Sequence, residues 1–191
     1  EHTIAWKLAQ SSSIDEVICV PGNGGTATEK KCRNISLSQG SYVEIAKKEG
    51  CSFAVIGPED PLAEGLADSF WEAGIPCVGP KSKGAQLEAS KDLAKDFMAK
   101  YNVACPASKT FENETDAHNY IDQHGAPIVI KADGLAAGKG VVVAATLSEA
   151  HKAVTELMAD GRVGEAGKKL VIEDYLEGVE ISILAAVSVT E

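Results

Sequence analysis

Three short, continuous apolar runs in the first half of the chain restrict the folds open to it more than any other feature. They are EVICV at 16–20, FAVIG at 53–57 and IPCVG at 75–79. Continuous apolar runs of this length are typical of strands that are covered on both faces, as in a parallel sheet. Apolar residues at helical spacing separate the runs, at Tyr42, Val43, Ile45 and Ala46 and again at Leu62, Leu66, Ala67 and Phe70. The alternation predicts a doubly wound, parallel-sheet α/β unit over residues 1–89.

The chemistry of such a unit is expected in two loops, because ligands of doubly wound sheets lie at the carboxyl ends of the strands. The loops are PGNGGTAT at 21–28 and GPEDPL at 57–62, and each follows one of the apolar runs. Glycines in the first loop allow backbone N–H groups to approach a ligand closely, and its asparagine and threonines add short polar side chains. A phosphate or a sugar-phosphate suits this loop. The residues alone leave a plain turn without a ligand equally open.

The pattern changes after Pro106, which interrupts the chain. Two of the later strands are joined directly by a glycine-rich loop, which indicates an antiparallel hairpin and an α+β lid over roughly 109–174. Just before the lid, the apolar stripe of an amphipathic helix at 91–101 is interpreted as core. Strands are predicted at 108–111, 126–132, 141–145, 169–174 and 180–189, and helices at 114–124 and after Thr146, which forms a T-x-x-E capping box with Glu149.

The most informative stretch is the glycine-rich loop DGLAAGKGV at 133–141, which lies between two apolar strands. Its backbone can present several N–H donors to phosphate oxygens, and Lys139 adds a positive charge. It is not a Walker A loop, because the spacing from Gly134 to Gly138 is one residue short and a strand follows instead of a helix. A flap that covers phosphates from between two antiparallel strands is typical of kinases and ATP-grasp enzymes.

Two neighbouring features are consistent with nucleotide binding but do not require it. Lys131 follows the apolar run PIVI, where burial without an anion is costly, so phosphate contact is favoured over a side chain that extends to water. The stretch VIEDYLEGVE at 171–180 can offer backbone groups to an adenine edge and a later carboxylate to ribose hydroxyls. On local chemistry alone, an acidic surface turn is the better interpretation of that stretch.

Composition excludes several classes of protein. The 191 residues carry 18 Lys and Arg against 28 Asp and Glu, and the resulting net charge of −10 argues against non-specific nucleic-acid binding. No apolar run approaches the ~20 residues of a membrane span, so no membrane partner is expected. The five cysteines are odd in number and form no C-x-x-C pair, which predicts a reduced, cytoplasmic setting.

Together these motifs resemble the ATP-grasp superfamily and, within it, the glycinamide ribonucleotide synthetases (phosphoribosylamine–glycine ligases). The flap, the stretch at 171–180 and the E-A-S-K sequence that ends at Lys91 resemble ATP-grasp enzymes in general, whereas PGNGGTA and GPEDPL resemble this ligase family in particular. The resemblance implies a pre-ATP-grasp domain at 1–89 and part of an ATP-grasp domain at 90–191. It runs from end to end, through EHTIAWKLAQS, VPGNGGTA, VIGPEDPLAEGLAD, GPKSKGAQLEASKDLAKDFM, APIVIKADGLAAGKGVVVA and VIEDYLEGVEIS.

By this resemblance, the second domain binds ATP and the first domain binds the other substrates. Lysines would meet the phosphates or the N7 side of adenine, glycines would shape the flap, and the stretch at 171–180 would hold adenine and ribose. The residues implied for ATP are Lys91, Lys131, Gly138, Lys139, Gly140, Glu173, Tyr175, Leu176 and Glu180, with Lys139 also expected to act in catalysis. Those implied for phosphoribosylamine and glycine are Gly22, Asn23, Gly24, Gly25, Thr26, Glu59 and Pro61.

The resemblance also implies a reaction, in which ATP, glycine and phosphoribosylamine give glycinamide ribonucleotide, ADP and phosphate through a glycyl phosphate. The family's first strand and its glycine-rich loop have no counterpart here, and the ligands for Mg²⁺ or Mn²⁺ are expected beyond residue 191. We therefore expect the chain by itself to be inactive, and fusion to further purine-pathway domains is compatible with it. The alternatives are another ATP-grasp carboxylate–amine ligase, which residues 21–26 and 57–62 would distinguish, and a non-catalytic nucleotide-binding module.

Overall fold

A computed structural model describes residues 1–136, 138–185 and 187 of the chain. The chain folds as two compact units, Glu1–Phe97 and Met98–Glu191, and each is described by itself. The division lies within one helix, a few residues beyond the boundary at 89/90 that the sequence suggests, and that boundary stays a prediction. None of the helices described is long and apolar enough to cross a lipid bilayer.

The first unit alternates short strands and helices, as the sequence predicts. Two 3-10 turns, at Thr26–Thr28 and Leu37–Gln39, lie between these elements. In chain order the elements are α1 (His2–Ala9), β1 (Val17–Cys19), β2 (Cys32–Asn34), α2 (Tyr42–Lys48), β3 (Ala54–Val55), α3 (Glu59–Ala63), α4 (Leu66–Glu72), β4 (Cys77–Val78), α5 (Ser82–Ala89) and α6 (Lys91–Lys100).

The predicted parallel pairing is confirmed, in two separate two-stranded sheets. β1 pairs in parallel with β2, with Val17 opposite Cys32, and β3 pairs in parallel with β4, with Ala54 opposite Cys77. β2 is not predicted from the sequence, because Cys-Arg-Asn lacks the apolar and β-branched residues typical of a strand. The apolar stripe at 62–70 is carried by two helices, α3 and α4, that are separated at Gly65.

The second unit is an α+β arrangement built on one antiparallel sheet, in the strand order β5-β8-β6-β7. The strand at 108–111 and the helix at 114–124 begin and end at the predicted residues, and the predicted hairpin is confirmed as β6–β7. Its elements are β5 (Ser108–Phe111), α7 (Glu114–His124), β6 (Ile128–Ala132), β7 (Val141–Ala144), α8 (Leu147–Val154), a π-helical turn (Thr155–Ala159), a 3-10 turn (Gly164–Lys168) and β8 (Leu170–Asp174).

The core of the second unit lies between this sheet and the helices α7 and α8. Along β6, burial alternates, with Ile128 and Ile130 completely buried and Val129 and Lys131 half-buried. Ile172 of β8 and Ile121 of α7 are likewise fully buried in the same cluster. The opposite face of the sheet therefore carries Lys131, in agreement with the alternation of a strand.

Two sequence-based expectations are wrong in the part of the chain that the structure describes. The stripe of α6 does not form a core, because none of its residues is buried, and Leu93 and Phe97 are about two-fifths exposed, at 42% and 41%. The strand predicted at 180–189 is not formed at 180–185 or at residue 187. The remaining positions of that prediction, 186, 188 and 189, lie outside the described residues.

Candidate functional site

The glycine-rich loop closes the β6–β7 hairpin as a compact turn. Lys131 and Val141 form the last strand pair before the loop, and the N–H of Ala132 donates to the carbonyl of Gly140 at 2.7 Å. Within the loop, the N–H of Lys139 donates to the carbonyl of Ala136 at 2.8 Å. A Cβ at Gly140 would lie 2.7 Å from the Cβ of Ala136, so only glycine fits there without displacing the turn.

The two lysines of this hairpin have different surroundings. Lys139 is exposed at the tip of the loop, and no described carboxylate forms an ion pair with it. The Nζ of Lys131 lies 2.8 Å from Oε2 of Glu173 on the adjacent strand β8, and Glu173 is only 5% exposed. Because a buried carboxylate is costly without a matched cation, this ion pair gives Glu173 part of the compensation that it needs.

The structure thus brings together two of the residues implied for ATP, Lys131 and Glu173, on one face of the antiparallel sheet. Val129 of β6 is paired with Glu173 of β8. Since Val129 lies two residues before Lys131 along β6, Glu173 and Lys131 are diagonal neighbours on the same face of the sheet. Gly138 lies in the flap, and Tyr175, Leu176 and Glu180 follow β8 as exposed residues without helix or strand. Lys91, the remaining residue implied for ATP, is the first residue of α6 in the first unit.

The two predicted substrate loops of the first unit border a single cavity of about 480 Å³. Gly22, Asn23 and Thr26 line it from the first loop, and Pro61 lines it from the second. Gly24, Gly25 and Glu59, which were also implied, do not line this cavity. The convergence of the loops follows from their position after β1 and β3, since strand ends of one α/β unit lie near each other.

Within the first loop, Asn23 and Thr26 are engaged with the protein itself. Oδ1 of Asn23 accepts hydrogen bonds from the N–H groups of Gly25 and Thr26 at 2.9 and 3.1 Å. The hydroxyl of Thr26 accepts from the N–H of Asn23 at 2.8 Å, and Thr26 is only 1% exposed. These bonds hold the loop in shape, so the side chains of Asn23 and Thr26 position its backbone.

Asn34 of β2 completes this network, and the sequence analysis missed it. Its Oδ1 accepts from the Thr26 hydroxyl at 2.7 Å, and its Nδ2 donates to the carbonyl of Asn23 at 2.9 Å. A Cβ at Gly22 would lie 2.2 Å from Cγ of Asn34, so the glycine permits the close approach of strand and loop. No periodicity or spacing marks Asn34 in the sequence, because its partners lie in a separate segment of the chain.

The cysteines at the cavity are apolar in character. Cys19 and Cys51 line it, and burial is the largest influence that raises the pKa of each thiol. A raised pKa keeps a thiol protonated at neutral pH, so these residues behave as small hydrophobic groups and not as nucleophiles. All five cysteines of the chain are free thiols in the structure.

No metal centre is found in the described ranges 1–136, 138–185 and 187. Within them, no group of three or more histidine, cysteine, aspartate or glutamate residues is placed to hold a metal ion. The residues present therefore do not form the Mg²⁺ or Mn²⁺ site that the resemblance implies, and no chemical step is assigned to a metal here.

Comparison with known protein families assigns the loops of the first unit and the flap hairpin to two domains of one family. Two family models match consecutive parts of the chain, the phosphoribosylglycinamide synthetase N domain at residues 1–88 and the phosphoribosylglycinamide synthetase ATP-grasp (A) domain at residues 89–191. The chain belongs to the phosphoribosylglycinamide synthetase family. The flap hairpin lies in the ATP-grasp domain of this family, and the cavity between the two loops lies in its N domain.

Curated relatives are similar to this chain over almost all of its residues. The phosphoribosylamine–glycine ligase of Neisseria meningitidis serogroup B is 53% identical over 188 residues, which are 98% of this chain and 44% of the relative. The corresponding ligase of Ralstonia nicotianae is 50% identical over 185 residues, again covering 44% of the relative. The chain therefore spans less than half the length of the curated relatives that it matches.

Solved structures share the fold of this chain. The crystal structure of phosphoribosylamine–glycine ligase from Thermotoga maritima is similar with a TM-score of 0.72 and 28% identity, over 93% of this chain and 42% of that one. The biotin carboxylase domain of the Hydrogenobacter thermophilus 2-oxoglutarate carboxylase is similar with a TM-score of 0.71 at 18% identity, over 92% of this chain and 42% of that one. The second similarity concerns the fold alone.

Proposed function

We propose that this chain is the N-domain and flap portion of an ATP-dependent ligase that joins glycine to 5-phosphoribosylamine. The products would be glycinamide ribonucleotide, ADP and phosphate. The observation that carries the proposal is the sequence identity of about half to phosphoribosylamine–glycine ligases along nearly the whole chain. The glycine-rich hairpin with exposed Lys139 supports it, because a cationic, glycine-rich flap is suited to covering a polyphosphate.

In the proposed ATP site, the two hairpin lysines have different tasks. Lys139 would reach a phosphate oxygen from the flap tip, where no described carboxylate competes for its charge. Lys131 would keep its ion pair with Glu173 and offer its remaining N–H donors, since an ammonium has three and the pair at 2.8 Å requires one. Glu173 would thus orient Lys131, and the same ion pair offsets part of the cost of burying the Glu173 carboxylate.

Adenine and ribose would bind where the chain leaves β8. The exposed stretch after Asp174 has backbone groups outside the sheet ladder, and Tyr175 and Leu176 lie at its start. These groups would meet the edge of adenine, and Glu180 would accept hydrogen bonds from ribose hydroxyls. Both roles stay predictions from the family resemblance.

On the substrate side, the geometry refines which groups of the first loop would meet phosphoribosylamine. The Asn23 and Thr26 side chains already hold the loop, so backbone N–H groups are the better candidates for the ligand. A Cβ at Gly24 would have no neighbour within 4 Å, so the loop is open to a ligand at that residue. Glycine-rich backbone of this kind suits the phosphate of a sugar-phosphate.

The proposed chemistry has two displacement steps. A carboxylate oxygen of glycine attacks the γ-phosphorus of ATP and ADP leaves, which gives glycyl phosphate. The amine of phosphoribosylamine then attacks the acyl carbon and phosphate leaves. Within this chain, Lys139 and Lys131 would stabilise the charge on the transferred phosphoryl group, and the loops would position the second substrate. The Mg²⁺ or Mn²⁺ ligands are predicted beyond residue 191, and the proposed location is the cytoplasm.

The test is substrate-dependent ADP formation by a full-length ligase that carries this chain. ADP release is expected only with glycine and phosphoribosylamine together, and Lys139→Ala should weaken binding of a non-hydrolysable ATP analogue by about ten- to a hundredfold, or roughly 1.5–3 kcal/mol. Lys152→Ala is the matched control, because the Lys152 side chain is 76% exposed. Its ion pair is with Glu156, in the π-helical turn that follows α8.

Two outcomes would contradict the proposed reaction, and a third would contradict the proposed role of Lys139. Nucleotide binding without any ADP formation under these conditions would support a non-catalytic nucleotide-binding module. ADP formation with a different carboxylate and amine would support another ATP-grasp ligase. Equal affinity of the Lys139→Ala and Lys152→Ala proteins for the analogue would remove Lys139 from the site.

A further inference from the structure

A histidine–aspartate pair lies where the chain leaves the sheet of the second unit. Nε2 of His124, the last residue of α7, is 3.1 Å from Oδ1 of Asp174, the last residue of β8. The exposed residues 175–180, here called the adenine stretch, follow directly and would meet adenine and ribose under the proposed function. The pair is therefore outside this stretch but at its base.

Asp174 faces the opposite side of the sheet from its neighbour Glu173. Consecutive residues of a strand alternate in direction, so the face that carries Glu173 and Lys131 is not the face of Asp174. Asp174 is paired in register with Ile128, which is completely buried on the side where α7 packs. The N–H of Asp174 also donates to the carbonyl of Ala107 at 3.0 Å. Contacts at Asp174 thus set the path on which the adenine stretch departs.

The imidazole of His124 is held by packing as well as by the ion pair. It stacks on the ring of Tyr120, one turn earlier in α7, with 5.2 Å between the centroids and 25° between the planes. The Tyr120 ring in turn lies 5.1 Å from the ring of buried Phe111 on β5. A chain of ring contacts therefore connects His124 to the core of the unit.

The charges at this end of the sheet are consistent with a close pair. An ionised carboxylate only accepts hydrogen bonds, so the proton between the two groups belongs to Nε2 of His124. Burial, and then the charge of Asp174, raise the pKa of Tyr120, which places that carboxylate near the stacked rings. Lys109 of β5 is the cation on the other partner of the stack, with Nζ 5.6 Å from the centroid of Tyr120.

We propose that His124 and Asp174 are positioning residues for the adenine stretch, and that they contribute to recognition of the base but not of the phosphates. This inference rests on the proposed function. Neither residue would touch the nucleotide, and both would act through Tyr175 and Leu176, whose path they fix. Lys139 belongs to the separate β6–β7 hairpin, so loss of the pair would leave its phosphate contact in place.

The test compares two ligands in a full-length ligase that carries this chain. Binding of a non-hydrolysable ATP analogue and of inorganic tripolyphosphate is measured by isothermal titration calorimetry. His124→Ala should weaken the analogue by about two- to fivefold, the range expected for a partly exposed ion pair, and leave tripolyphosphate unchanged. His124→Gln retains an N–H donor and should recover most of the loss. Asp174→Asn, which keeps the size of the side chain, should act in the same direction as His124→Ala.

The second unit offers a matched control in another histidine–aspartate pair. Nε2 of His151 on α8 lies 3.0 Å from Oδ1 of Asp122 on α7, and the side chains of His151 and His124 are similarly exposed, at 32% and 33%. His151→Ala should therefore leave the affinities for both ligands unchanged, even if it lowers the Tm.

Three results would overturn the proposal. They are unchanged affinity of His124→Ala for the analogue, equal losses for the analogue and tripolyphosphate, and an equal loss of analogue affinity in His151→Ala. Each leaves the proposed function intact. Failure of the proposed function is distinguishable, because the unsubstituted ligase would then bind no analogue at all, and that result would overturn both.

Discussion

The apolar strands of the two units have similar composition but differ in burial. In the second unit, β6 lies between β7 and β8, and Ile128 and Ile130 are completely buried. In the first unit, β1 and β3 have a single neighbour each, and every one of their residues is only half-buried. Apolar composition therefore predicts that a segment is a strand, whereas the number of paired edges decides how much of it is removed from water.

This difference also separates the two parts of the candidate site. The flap hairpin is anchored by a strand with both edges paired, and its Lys131–Glu173 ion pair joins neighbouring strands. The loop at 21–28, predicted to bind substrate, follows β1 and depends on the side chains of Asn23, Thr26 and Asn34 for its shape. The first site is positioned mainly by the sheet, and the second mainly by a local polar network.

The largest expected effect comes from removing a fully buried side chain of the second unit, and a half-buried side chain of the first unit gives the comparison. Ile130→Ala should lower the free energy of unfolding of the second unit by about 2–5 kcal/mol, because Ile130 is completely buried and a cavity would remain. Ile18→Ala should lower that of the first unit by only about 1 kcal/mol, because its side chain is half-buried. Urea unfolding followed by far-UV circular dichroism measures both. Equal losses would remove the contrast between the units.

A smaller effect is expected from the polar network of the substrate loop. Asn34→Ala removes one partner each from the Thr26 hydroxyl and the Asn23 carbonyl, and should destabilise the first unit by about 1–3 kcal/mol. In a full-length ligase, phosphoribosylamine use should fall while affinity for ATP stays unchanged. Exposed Asn119 on α7 supplies the control substitution, Asn119→Ala. Loss of ATP affinity with intact phosphoribosylamine use would mean that the loop serves the other substrate.

The smallest effect concerns pH and the cap of α2. The N–H and hydroxyl of Ser41 both lie 2.8 Å from Oε2 of Glu44, and these hydrogen bonds hold the pKa of Glu44 below its usual value. A lowered folded-state pKa stabilises the fold above the unfolded value of about 4.3 and loses that effect as pH falls. The stability advantage of the native chain over Glu44→Gln, measured by thermal unfolding, should therefore shrink below that pH. A constant difference from pH 7 to pH 3 would contradict this.

Much of the second unit follows from the sequence alone, because its signals are local. The helix at 114–124 is marked by the helical spacing of Ala117, Tyr120 and Ile121, and it begins after Asn113, whose side chain accepts from the N–H of Asp116. The T-x-x-E sequence likewise predicts the start of α8, where the Thr146 hydroxyl accepts from the N–H of Glu149. Each signal involves residues within a few positions of each other, so no knowledge of tertiary contacts is needed.

The features that only the tertiary structure decided depend on partners far apart in the chain. The pairing of Lys131 with Glu173 requires β8 to lie beside β6, and the bond from Thr26 to Asn34 requires β2 to lie beside β1. The exposure of the α6 stripe is of the same kind, because amphipathic spacing shows that a helix has an apolar face but not what covers it. The sequence thus determined most of the elements, the flap hairpin and the family of this protein. The partners that hold each loop were decided by packing between distant segments.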